Sequence, residues 1–189
     1  GKIGVYNFPI IGYNRGKGVV IELVHLYYGD GKGKTTAAMG LALRASGRGN
    51  KVTIAQFLKS DDSGERIAWK NVPGVTVLDI PKVIKFVMAM NDAEKAKAAA
   101  DMRALLEQAV TTESDLMVLD ELGSVVNTGL MTAEEVLAAL DRCPAEREIV
   151  MTSYFSVPAL FERADYVTEM KKIKHPFDKG AKARIGVEW

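Results

Sequence analysis

Residues 28–36 read Tyr-Gly-Asp-Gly-Lys-Gly-Lys-Thr-Thr, and no other stretch constrains the fold as much. An apolar, β-branched run at residues 19–27 precedes it, and a run rich in Ala and Leu follows it. Strand, glycine loop, Lys-Thr and helix together are the context of a phosphate-binding loop. Glycines let the backbone turn so that successive N–H groups face an anion, and the new helix adds its positive end. In such a loop Lys34 reaches the terminal phosphates and Thr35 places a hydroxyl on Mg²⁺. The pattern G-x-x-x-x-G-K-[ST] is met except at its first position, where Tyr28 stands in place of glycine.

The rest of the chain alternates in the same sense. Strands are expected at residues 19–28, 51–57, 75–80, 115–120, 148–153 and 165–170, and helices at 35–45, 92–110 and 157–164, with a further helix capped by Thr132. Asn91 is the expected N-cap of the long helix, and Glu134 and Glu135 fall in the first turn of the helix after Thr132. This order predicts an α/β fold with helices on both faces of a parallel sheet. Residues 1–18, where Gly and Asn are spaced among aromatics, read as an N-terminal arm or an appended tail. Residues 19–189 then form one nucleotide-binding domain.

Composition narrows the function. Of 189 residues, 48% are hydrophobic and 26% charged, which is ordinary for a globular domain. No apolar run approaches a membrane span. A net charge of +1 provides no bulk attraction to nucleic acid or membrane. The single cysteine, Cys143, excludes an intrachain disulfide and any multi-cysteine zinc site, and it fits a reducing cytoplasm. It reads as a small semi-buried side chain at a helix end.

A second half of a nucleotide site lies in Leu119-Asp120-Glu121, an apolar strand tipped with two acids. P-loop enzymes hold Mg²⁺ with carboxylates at this place, directly or through its waters; the bland alternative is two solvated acids before a turn. Gln56, Lys59 and Gly64-Glu65 fall at the carboxyl edge of the sheet, where open parallel sheets bind ligands. Arg44 either stabilises a helix C-terminus or reaches back to the nucleotide. Residues 81–90 (PKVIKFVMAM) are either core or an exposed apolar loop over a ligand. P-loop logic thus gives a Mg-ATP site and leaves the chemistry open.

Several blocks go further. They are Tyr28-Gly-Asp-Gly-Lys-Gly-Lys-Thr-Thr-Ala-Ala, Gly40-Leu-Ala-Leu-Arg-Ala-Ser-Gly-Arg-Gly, Gln56-Phe-Leu-Lys, Gly64-Glu65 and Leu119-Asp-Glu. Near the C-terminus come Ala164-Asp-Tyr-Val-Thr-Glu-Met, Lys174-His-Pro-Phe-Asp-Lys-Gly and Gly186-Val-Glu. With these blocks the chain resembles the ATP:corrinoid adenosyltransferases of the P-loop type, and Tyr28 is part of that likeness. The resemblance implies a P-loop NTPase (RecA-like) three-layer fold around a mostly parallel sheet of about six strands. It implies that a Co(I) corrinoid attacks the ribose 5′-carbon of ATP and that triphosphate leaves whole, in adenosylcobalamin biosynthesis or salvage. The implied cofactor is Mg²⁺ with ATP, and the corrinoid is the co-substrate. An electron donor and a homodimer are implied partners.

Carried over residue by residue, the nucleotide site comprises Gly29, Asp30, Gly31, Lys32, Gly33, Lys34, Thr35, Thr36, Arg44, Gln56, Lys174 and His175. Lys34, Thr35 and Glu121 are the expected catalytic group, and Thr35, Asp120 and Glu121 the metal ligands. Phe86, Met88 and Met90 fall where the family faces the corrinoid, although composition alone reads them as ordinary core. The chain departs from the family twice. Only one aromatic remains in that stretch, and Ser153-Tyr154 replaces a Gly-Arg pair after the fifth strand. The readings that compete with adenosyl transfer are a P-loop phosphotransferase or ATPase, and a nucleotide- or corrinoid-binding module that has lost activity.

Overall fold

The computed structural model describes residues 23–59, 63–81, 86–180 and 182–187. Residues 1–22, and with them the expected arm, lie outside that description. Six strands form one sheet: β1 (Val24–Tyr28), β2 (Val52–Gln56), β3 (Val75–Val77), β4 (Leu116–Asp120), β5 (Glu148–Ser153) and β6 (Tyr166–Glu169). Their order is β3-β2-β4-β5-β1-β6, and every pairing is parallel. The expected α/β architecture is therefore present, with a wholly parallel sheet.

Helices cover both faces. They are α1 (Lys34–Ser46), α2 (Gly64–Trp69), α3 (Asp92–Thr111), α4 (Leu122–Asn127), α5 (Ala133–Leu140) and α6 (Pro158–Arg163). Side chains alternate along a strand, so the central strands feed two cores. Val52, Ile54, Leu116, Val118 and Val150 pack with Ala38, Met39 and Ala42 of α1 and Trp69 of α2. Val24, Leu26, Met117, Leu119, Ile149 and Met151 pack on the other side, with residues of α3 to α6. Capping boxes start two helices at the expected residues: Asn91 with Glu94, and Thr132 with Glu135. Each cap stabilises its helix by about 1 kcal/mol.

Two expectations change. The strand expected at 75–80 stops at Val77; Leu78 donates one more hydrogen bond, to Ile54, before the chain turns away ahead of Pro81, which has no N–H to offer. Helices α2 and α4 are additions to the expected ones: six residues show little helical period, and unlike the equally short α6 neither is announced by a proline at its start. The first strand is described from Val24, and residues 19–22 of the expected strand lie outside the described residues. His25 is a satisfied strand histidine, with Nε2 2.6 Å from Glu148 Oε1 and its ring stacked on Tyr166. Cys143 is half-buried against the core. No helix among the described residues is long and apolar enough to cross a membrane.

Candidate nucleotide site

The two-sided alternation that builds the cores also builds the site. On the face toward α1, β2 and β4 run apolar until the last position, which is Gln56 and Asp120, and in β5 the apolar Val150 is followed by Thr152. Gln56 is in register with Asp120, and Met151 with Leu119. Three buried polar side chains therefore form a row at the carboxyl edge, beside the N-terminus of α1.

Asp120 is fully buried and all its acceptor capacity is used. Its Oδ1 accepts from Thr35 Oγ1 at 2.9 Å and from Thr152 Oγ1 at 2.7 Å. Its Oδ2 accepts from Gln56 Nε2 at 3.2 Å and lies 2.6 Å from the ammonium of Lys59. An unpaired carboxylate at this depth would cost several kcal/mol, so the donors are obligatory. Glu121 follows in the left-handed region, with φ 63°. That conformation turns its side chain out of the sheet toward the cavity, where Oε2 accepts from Ser124 Oγ. Its own N–H is held by Thr152 Oγ1 at 2.8 Å.

The loop itself departs in part from the sequence picture. Gly31 N–H does not face an anion; it donates to Met170 O at 2.6 Å, and Gly29 N–H donates to Ser153 O. Both glycines are dictated by close packing, since a Cβ on either would lie 2.5 Å from Met170 O. The first intrahelical bond of α1 runs from Ala37 to Gly33 O, so the N–H groups of Lys34, Thr35 and Thr36 have no partner inside the helix and form its anion-facing end. Lys34 Nζ donates to Gly31 O and lies 5.4 Å from the centre of the Tyr154 ring. Burial pulls its pKa below the ordinary lysine value, against the opposing pull of Glu121, Asp30 and Asp120. Tyr28, on the opposite side of the strand, packs edge-on against Phe161 of α6, which gives the missing glycine a structural reason.

These residues surround a cavity of about 720 Å³, a volume suited to a small-molecule ligand. Its lining includes Asp30 to Thr36, Lys59, Gly64, Glu65, Glu121 and His175, with Gly186 and Val187 of the C-terminal segment as one wall. That segment is tied to the loop by Lys32 Nζ on Val187 O, and Asp30 Oδ1 accepts Lys172 N–H.

Gln56 stands just behind the cavity, bonded to Asp120 and Glu65, and Arg66 donates to its Oε1. Gly29 lies beneath the loop. Arg44 and Lys174 are not among the lining residues and are exposed. Arg44 sits ten residues after Lys34 along α1, roughly 15 Å away at the rise of an α-helix. It fulfils the other expectation, a cation in the last turn. Phe86 and Met88 overturn the ordinary-core reading: they are 90% and 96% exposed, on a short 3₁₀ turn (Val87–Ala89). Met90 is half-buried and packs on the core.

Sequence reasoning put Lys59 at the carboxyl edge of the sheet without giving it a role in the nucleotide site, and did not single out Thr152. Their signal was positional: Thr152 lies near the carboxyl end of β5, beside β1, and Lys59 three residues beyond the end of β2.

The hydroxyl of Thr35, the carboxylate of Asp120 and that of Glu121 form a hard-oxygen set suited to Mg²⁺, and a cation, the Lys59 ammonium, already fits between the first two. No group of three or more His, Cys, Asp or Glu that could hold a metal exists among the described residues. That is consistent with a Mg²⁺ site completed by substrate phosphates and water.

A parallel sheet, a phosphate-binding loop after β1 and an acid-tipped strand β4 one strand removed from it define a P-loop nucleotide-binding protein. Residues 21–189 match the family described as ATP:corrinoid adenosyltransferase BtuR/CobO/CobP. The chain is 35% identical over 172 residues to a corrinoid adenosyltransferase of Pseudomonas aeruginosa, covering 89% of this chain and 83% of that protein. It is 34% identical over 182 residues to the corrinoid adenosyltransferase of Escherichia coli strain K12, covering 92% and 86%. It is 32% identical over 182 residues to corrinoid adenosyltransferase CobA of Salmonella typhimurium, covering 92% and 86%. The chain belongs to the ATP:corrinoid adenosyltransferase family.

Proposed function

We propose that this chain transfers the 5′-deoxyadenosyl group of Mg-ATP to a Co(I) corrinoid and releases triphosphate, as a single domain over residues 19–189. The observation that carries the proposal is the convergence of Lys34, Thr35 at the start of α1 and Glu121 on one cavity, with Asp120 bonded to Thr35 behind it, in a chain of this family.

The reaction forms one bond and breaks one. The cobalt electron pair forms the bond to C5′, the C5′–O bond breaks, and its electrons leave with the triphosphate. No proton moves, so the site needs no general base. Its task is to hold the triphosphate and aim C5′ at cobalt. Asp30 to Thr36 enclose the polyphosphate, and Lys34 and the helix N–H groups stabilise the charge it gains as it departs. Thr35, Asp120 and Glu121 hold Mg²⁺, which neutralises phosphate charge when bound. Gln56 fixes Asp120, and His175 lies on the nucleotide side of the cavity.

Phe86 and Met88 present an exposed apolar face to the corrinoid, with Met90 anchoring the turn to the core. Large exposed apolar side chains in neighbouring positions mark binding surfaces. Shielding cobalt from water and from its lower axial ligand is the contribution assigned to them. The reading includes a homodimer, a separate electron donor that supplies Co(I), and the reducing cytoplasm that a single cysteine suits.

The test is an anaerobic titration of the protein and MgATP with chemically reduced cobalamin, followed in the visible spectrum. The Co(I) bands are expected to give way to those of an alkylcobalamin only when ATP is present. Steady orthophosphate release with unchanged Co(I) bands contradicts the reading and favours an ATPase.

A further inference from the structure

The strongest unassigned feature is the position of Lys59. Its Nζ lies 2.6 Å from Asp120 Oδ2 and 3.0 Å from Thr35 Oγ1, between the two groups proposed above as metal ligands. Three observations make the placement a built one. Asp120 has no solvent exposure, so a cation beside it is needed to offset its burial. The other donors to Asp120 come from strands β2 and β5 and from α1, whereas Lys59 arrives on the segment after β2. The residue before it, Leu58, adopts φ 54°, a left-handed conformation that a bulky side chain rarely takes. Glu121 has the same unusual conformation. Backbone strain of this kind persists where the surrounding structure enforces it, and it clusters at functional sites.

We propose that Lys59 is a stand-in cation: its ammonium holds the position between Thr35 and Asp120 until Mg²⁺ arrives with a triphosphate, and then moves onto the phosphates. The cavity wall it occupies is shared with Lys34 and the loop, so a phosphate oxygen is within the compass of a four-carbon side chain. A divalent ion alone must displace the ammonium into a cavity that lacks a triphosphate as acceptor and offers only the carboxylates that line it. A divalent ion with ATP supplies that acceptor. Lys59 thereby couples metal binding to nucleotide binding and disfavours idle metal occupancy. This rests on the metal position proposed above and is independent of the adenosyl transfer.

The test uses Mn²⁺ as the probe, with binding read by electron paramagnetic resonance in K59M, K59R and the unaltered protein. Without nucleotide, K59M is expected to bind Mn²⁺ about tenfold or more tighter than the unaltered protein, and K59R to resemble the latter. Metal-free K59M is expected to melt at a lower temperature, because Asp120 has lost its counter-ion, and MnCl₂ is expected to restore it. A K59M chain that folds only with Mn²⁺ present supports the proposal equally. Unchanged nucleotide-free affinity in K59M overturns it, as does a K59M chain that Mn²⁺ fails to stabilise. Failure of all three proteins to bind Mn²⁺ with ATP present overturns the metal position itself.

Discussion

Thr152 holds Asp120 and the residue after it in one grip: its hydroxyl donates to Asp120 Oδ1 at 2.7 Å and accepts the Glu121 N–H at 2.8 Å. One buried side chain on β5 thus orients both acids at the tip of β4. Replacing it with the near-isosteric valine takes the acceptor from the Glu121 N–H and removes one of the two donors to the buried Asp120 Oδ1. T152V is expected to lose about 1–3 kcal/mol of stability in urea unfolding and to raise the Mg²⁺ concentration needed for ATP binding. T152S, which keeps the hydroxyl, is expected to lose less and to bind metal normally. A T152V protein with unaltered metal dependence contradicts the role given to Thr152.

Two glycines of the same chain should respond in opposite directions to alanine. A Cβ at Gly31 would lie 2.5 Å from Met170 O, 2.8 Å from Met170 C and 2.9 Å from Lys171 C, all backbone atoms. G31A must push the end of β6 away from the loop, at a cost of about 1–3 kcal/mol. Gly40, exposed in α1, has nothing within 4 Å of a built Cβ. G40A is expected to gain up to about 1 kcal/mol from helix propensity. Chemical denaturation of the two variants checks both signs, and amide exchange in β6 should accelerate only in G31A.

The depressed pKa of Lys34 has a consequence for stability. Burial disfavours its charged form, so the folded-state pKa lies below the ordinary 10.5. Between that lowered value and 10.5 the unfolded chain binds more protons than the folded one. The burial penalty is therefore fully present below the folded pKa and is relieved as pH rises through this window. In nucleotide-free protein, unfolding free energy is expected to gain an upward contribution with pH there, and K34M to lack it. Equal slopes in the two proteins would contradict the assignment. Nucleotide affinity should move the other way, falling as Lys34 loses its charge.

Phe86 and Met88 separate binding from folding. Because they are 90% and 96% exposed, truncating them removes almost no native packing. F86A and M88A are each expected to keep the melting temperature within the usual scatter of surface changes. Losing a large apolar contact with the corrinoid is expected to weaken corrinoid binding by about tenfold or more, with ATP affinity unchanged. Spectral titration with cobalamin and nucleotide binding by calorimetry measure the two separately.

Much of this was legible in the residues. The strand–loop–helix context located the loop, whereas residues 52–56 and 116–120 show no apolar–polar alternation, and that Gln56 and Asp120 share a face follows only from the strand register. Tyr28 read as a departure from the general motif and as part of the family likeness; its packing on Phe161, a contact made across a long stretch of chain, was not legible. Arg44 was ambiguous because the sequence does not reveal how a nucleotide lies along the site. The exposure of Phe86 and Met88 was hidden because exposed and buried apolar residues look alike without their neighbours. Lys59 lay in view at a strand end, yet only the left-handed turn at Leu58 delivers its ammonium to Asp120.

The central claim is that the 5′-carbon of ATP is attacked while the triphosphate stays whole. A single anaerobic turnover with ATP carrying ¹³C at the 5′ position and chemically reduced cobalamin, with both products read by NMR, tests it most directly. The account predicts that the label appears in a carbon bonded to cobalt and that phosphorus resonances show triphosphate alone. Label remaining in free nucleotide, with orthophosphate or diphosphate as the phosphorus product, would contradict it.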